Sequence, residues 1–127
     1  MEIVARYFLP GALAVTLALL SACRRVDVRE TVIETPGVRS GICAELVLAA
    51  LAELNPPPQR SAQKAIDMDR TWVDTTNGLV HVRYDSMQLA LKNLEFAITK
   101  AGFDANRLEA DAAARRDLPP ECRDHAD

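Results

Sequence analysis

Aromatic residues are scarce in this chain, making up 5% of its 127 positions, and basic residues are scattered under a net charge of −3. A nucleic-acid binder needs a basic footprint and stacking surfaces, so neither half of that signature is present. There is no glycine-rich phosphate loop, and the two histidines, His81 and His125, have no serine or cysteine motif beside them. Those absences argue against an enzyme, since no nucleophile, base and acid stand in a recognisable pattern. Calcium-loop spacing is also missing: Asp67, Asp69 and Asp74 alternate with apolar residues, as a solvated strand face requires. What is there, 49% hydrophobic and 26% charged residues, is the makeup of one globular domain, because a second core would need more chain.

Residues 1–22 stand apart from that domain. "MEIVARYFLPGALAVTLALLSAC" has Arg6 near its start, an apolar run from Tyr7 to Leu20, then small residues before Cys23, which is the organisation of a secretory leader. The run falls short of the ~20 apolar residues that cross a bilayer as a helix. Its ending, Leu20-Ser21-Ala22-Cys23, resembles the lipobox of bacterial lipoproteins, which implies cleavage after residue 22 and acylation of Cys23. More than one acyl chain, at ~0.8 kcal/mol per buried CH₂, is enough for stable anchoring. The expected location is therefore the bacterial cell envelope, periplasm-facing, with the membrane as a partner through Cys23. Arg24 lacks the retention aspartate of some enterobacterial lipoproteins, which points toward the outer membrane. Once Cys23 is lipidated, Cys43 and Cys122 remain in a compartment where disulfides persist. They are free, bonded to each other, or shared by a metal.

The mature chain alternates strand and helix patterns. "RRVDVRETVIET" reads as a linker and a strand over Val28 to Thr35, stopped by Pro36 and Gly37. From Gly41, the positions Cys43, Leu46, Val47, Ala50, Leu51 and Leu54 follow one helical face until "NPPPQ" ends it. "AIDMDRTWVDTTNGLVHVRYD" reads as a hairpin turning at Asn77-Gly78, with Val80, Val82 and Tyr84 facing the core and Leu79, His81 and Arg83 on the open side. Asp85 and Gln88 then suggest a capping pair for a helix carrying Met87, Leu91, Leu94, Ile98 and Ala101, closed by Gly102 and Phe103. "FDANRL" reads as a final strand, "EADAAARRDL" as a short helix and "PPECRDHAD" as a polar tail. The order predicts an α+β fold, the ferredoxin-like βαββαβ sandwich with two helices on one face of an antiparallel sheet. Residues 23–108 would form that domain and 109–127 a C-terminal extension.

With a loop opening its first helix, this order resembles the heavy-metal-associated domain of copper chaperones, metal-pumping ATPases and periplasmic mercury-binding proteins. It is most similar to envelope proteins whose loop reads Thr-Pro-x-Val-x-Cys-x-x-Cys and whose tail ends in Leu-Pro and a cysteine pair. Thr35, Pro36, Val38, Gly41 and Cys43 match the loop, and "TTNGLVHVRYD", "LKNLEFAITKAGFDAN" and "LPPEC" match the hairpin, helix and tail. Ser40 stands where that loop has its first cysteine, and Arg123 where the tail has its second. "NPPPQRSAQKA" is an insertion relative to the pattern.

The resemblance implies a site for a soft metal ion, copper(I) first, with mercury(II), zinc(II) or none as alternatives. Thiolates suit soft ions, and a helix N-terminus lowers thiol pKa. Ser40 is a hard, neutral donor and does not replace a thiolate. The expected ligand set is Cys43, Cys122 and His125, brought together if the tail folds back over the loop. A metal-transport or metal-resistance protein would be the partner, and the chain would be a monomer or a dimer bridged by metal between two Cys43 thiolates. Other readings stand beside this one: Cys43 as a buried core residue, a Cys43–Cys122 disulfide tying down the tail, or a metal-free adaptor docking a partner across Leu79, His81 and Arg83. His81 reads as an exposed strand residue and Trp72 as sheet packing.

Overall fold

The computed structural model describes residues 25–123. The expected leader over residues 1–22, Cys23 and His125 lie outside the described residues. The elements run β1 (Val28–Glu34), α1 (Gly41–Ala52), β2 (Trp72–Asp74), β3 (Leu79–Asp85), α2 (Leu91–Lys100), α3 (Ala112–Asp117) and α4 (Pro120–Arg123). The strands form one antiparallel sheet in the order β1-β3-β2. β1 lies along all of β3, from Val28 opposite Asp85 to Glu34 opposite Leu79. Strand alternation puts Ile33, Val80, Val82 and Tyr84 on one face, where they are buried with Val47 and Leu51 of α1 and Leu94 and Ile98 of α2. Full burial of each large aliphatic side chain is worth ~1.5–3 kcal/mol, and that layer of contacts holds the helices on the sheet.

Three expectations from the sequence are corrected here. The first concerns the hairpin, whose leading strand is broken. Ile66 bridges Tyr84, a 3₁₀ turn intervenes at Met68–Arg70, and pairing resumes with Trp72 opposite His81. Thr71 spans the gap: its hydroxyl donates to the Asp67 carbonyl at 2.8 Å and accepts from Arg83 N–H at 3.3 Å. The connection to β3 is a loop over residues 75–78, and Asp74 organises it by accepting from Thr76 N–H, Asn77 N–H and the Asn77 amide.

The second correction is the start of α2, at Leu91 rather than near Met87. Asp85 is a hub, not the helix cap. Its carboxylate accepts from the N–H groups of Asp27 and Met87, both at 3.0 Å, and from the Gln63 and Gln88 amides at 3.2 and 2.9 Å. The bond from Gln88 most of all, with those from the Asp27 and Met87 N–H groups, holds its carboxyl below the usual carboxylate range. The chain turns over 85–89, and the helix opens after Ala90, whose N–H donates to the Asn93 side chain at 2.8 Å.

The third is the final strand, which shrinks to one residue. Asn106 sits at φ 53°, in the left-handed region. From there its own N–H donates to the Glu34 carbonyl at 2.8 Å while its side-chain oxygen accepts from Glu34 N–H at 2.9 Å. Both ends of a strand pairing are thus made by a single asparagine, and the backbone curls back through the Ala105–Leu108 bridge. The chain after it is no loose polar tail, because Leu118 and Cys122 belong to the core.

Candidate functional site

The loop after β1 is built by short-range chemistry. Thr35 N–H donates to the Gly78 carbonyl at 2.7 Å and Val38 N–H to the Thr35 carbonyl at 3.1 Å. Arg39 locks the loop to the hairpin, donating to the carbonyls of Pro36 at 2.9 Å and Thr76 at 2.8 Å. Val38 is fully buried, and the buried Thr35 hydroxyl has no hydrogen-bond partner among the described residues.

Ser40 is the N-cap of α1, with extended backbone and its hydroxyl accepting from Cys43 N–H at 3.4 Å. The same oxygen lies 3.1 Å from the Cys43 sulfur. Serine is a favoured cap because its side chain satisfies one of the N–H groups that a helix start leaves unpaired. Its place in the loop is therefore architectural as well as chemical, a role that the sequence signals through a serine just ahead of the helical pattern.

The tail reaches this loop along a defined path. Gly102, at φ 104°, passes so close under α3 that a Cβ there would lie 3.0 Å from the Ala114 carbonyl. Asp111 caps α3 by accepting from Ala114 N–H at 3.0 Å, and Arg115 pairs with Asp104 at 3.3 Å. Leu118 turns inward, and α4 then carries Cys122 onto the first turn of α1. Gly37 lies under this helix, where an added Cβ would stand at ordinary contact distances, 3.4 Å from the Phe103 ring and 4.0 Å from the Cys122 carbonyl.

Cys43 and Cys122, 79 positions apart, are joined by a disulfide with Cα atoms 5.7 Å apart. Cys43 is 0% exposed and Cys122 2%. The structure thus brings together two of the three expected ligands, and it does so covalently. No cluster of three or more potential metal-ligating side chains occurs among the described residues. His81 is placed away from the thiols, its ring stacked on Trp72 with centroids 3.9 Å apart and planes 3° from parallel, on the open sheet face.

An α+β fold with a three-stranded antiparallel sheet and helices packed on one face is the class these elements define. Among solved structures it is similar to oxidised MerP from Ralstonia metallidurans CH34, with a TM-score of 0.51 and 15% identity, over 63% of this chain and 96% of that one. That likeness shows a MerP-like fold. No family model matches the chain, and no curated protein does either.

Proposed function

We propose that the chain is an envelope lipoprotein whose MerP-like domain handles a soft metal ion through Cys43 and Cys122, with the disulfide as its closed state. The observation that carries this reading is the meeting of these two sulfurs at the first turn of α1, across a separation of 79 residues. In the disulfide neither sulfur is a thiolate, so the anionic donors a soft cation needs are absent. A dithiol reductant would supply two electrons and two protons, break the S–S bond and yield two thiols. The N-terminal end of α1 favours the thiolate of Cys43, and the Ser40 hydroxyl stands within hydrogen-bonding distance of that sulfur. The metal is cargo, copper(I) being the first ion to test.

The test is an anaerobic titration of the reduced mature domain with copper(I) against a competing chelator. Cys43→Ser and Cys122→Ser should each lose affinity to a similar degree, and the oxidised protein should bind no better than either. A wild-type affinity equal to that of Cys43→Ser refutes the reading.

The burial of both sulfurs favours a second reading, a metal-free adaptor in which the cross-link is purely structural and the open face of the sheet docks a partner. Under that reading reduced and oxidised protein take up no copper(I), while partner binding responds to substitutions at Leu79, His81 or Arg83.

A further inference from the structure

The end of the domain where β1 begins displays three exposed apolar side chains close together in the fold. Val26 is 54% exposed, Val28 51% and Met87 60%. These side chains sit on a rigid frame. The Asp85 carboxylate takes the N–H groups of both Asp27 and Met87, Ser86 N–H donates to the Asp27 carbonyl at 2.8 Å, and the Ser86 hydroxyl bonds the Asp27 carboxylate. Val26 and Val28 also flank a shallow cleft of about 320 Å³ that Gln63, Lys64 and Tyr84 complete, with Asp67 and Arg83 balancing each other in its lining. Asp27 is ion-paired with Arg29 at 2.9 Å, and Arg25 lies next to Val26 in the chain.

We propose that this pole, Val26, Val28 and Met87 with Lys64 and Arg25 at its rim, rests in the headgroup region of the bilayer, so that the Cys43–Cys122 end faces away from the membrane. The inference rests on the reading of Cys23 as the lipidated residue. Four residues separate Cys23 from Val28, a tether of at most ~18 Å at ~3.3–3.6 Å per residue. A domain of this size is roughly 30 Å across, from a radius of gyration of ~13 Å. The tether is shorter than the domain, so the pole it enters is held at the lipid surface. β1 then rises seven residues, about 23 Å at ~3.3 Å each, before the chain reaches the loop and the disulfide. Apolar side chains framed by basic ones are what a surface uses to sit at the boundary of headgroups and acyl chains.

The experiment uses the full lipidated chain, oxidised so that an introduced thiol is the reactive one, in vesicles of phosphatidylethanolamine and phosphatidylglycerol at 3:1. An environment-sensitive fluorophore is placed at Met87→Cys or, at the opposite end, at Arg107→Cys. The Met87 label should be quenched by spin-labelled lipid and be about threefold less accessible to aqueous iodide than the Arg107 label, as shallow insertion requires. Equal iodide quenching at the two positions, on protein that carries the lipid and stays with the vesicles, overturns the orientation alone. Absence of acyl mass on the peptide containing Cys23 overturns the anchor reading and the orientation with it.

Discussion

Reducing the Cys43–Cys122 bond changes the connectivity of the chain while leaving every side chain in place. In the chain-entropy account, a cross-link closing a loop of roughly 80 residues removes ~15 cal/mol/K from the unfolded ensemble, or ~4.5 kcal/mol at 25 °C. The loop in question spans a separation of 79 positions and contains most of α1 and all of β2, β3, α2 and α3. Both cysteines are buried, and a free thiol packs as a small apolar group, so little cavity or desolvation cost is added on reduction. The loss is large against a typical domain stability of ~5–15 kcal/mol. Urea unfolding with and without a phosphine reductant reads it directly. At a slope of ~1.5–2 kcal/mol/M the midpoint should fall by about 2–3 M. Alkylation before and after reduction verifies the starting states: among Cys43 and Cys122, none reactive before and both after. A midpoint shift below about 0.5 M would refute the argument that this bond closes the domain, and two reactive thiols before reduction would show the bond to be absent.

Gly78→Ala should cost ~2–3 kcal/mol, because a Cβ at φ 67° would meet the Thr35 carbonyl at 3.0 Å and Pro36 Cα at 3.1 Å; an unchanged melting temperature contradicts this. Asn106→Ala should cost roughly 2–4 kcal/mol, since alanine resists the left-handed backbone and abandons the Glu34 N–H and the Glu95 carboxylate that Asn106 now bonds at 2.9 and 2.8 Å; calorimetry against Asn106→Gly separates the backbone part from the side-chain part. Stability should decline in acid as the hub at Asp85 is protonated. Its folded carboxyl lies below the ordinary value, so its contribution is complete above the unfolded pKa and disappears as pH falls through the folded one. Asp85→Asn should flatten that part of the pH profile in urea melts, and a profile parallel to wild type would count against the hub. Glu95 follows the same sign: burial pushes its carboxyl up, but bonds from Asn106 and Lys92 together hold it below its usual value.

Periodicity located α1, β3 and the body of α2, because a half-buried strand and a packed helix must repeat their apolar residues at fixed intervals, while β1 was legible from its Val, Thr and Ile content and the Pro36-Gly37 stop. Periodicity also selected Val80, Val82 and Tyr84 as inward-facing, which burial bears out. The α1 face was legible only in part. Cys43, Val47 and Leu51 are buried, while Leu46 remains exposed beside Phe96 in the groove between the helices. Single polar side chains decided what periodicity could not. Thr71 interrupts a strand, Asp85 gathers the start of β1 and the approach to α2, and Asn106 replaces a strand with one residue. None has a sequence period, since each acts through hydrogen bonds to distant chain. The same holds for the thiols. Cys43 and Cys122 were visible as a pair with three possible fates, and spacing could not choose among them. Proximity arises only when Gly102, Asp111 and Leu118 steer the tail over α1, so the bond between the sulfurs is a property of the folded chain rather than of any local run of residues.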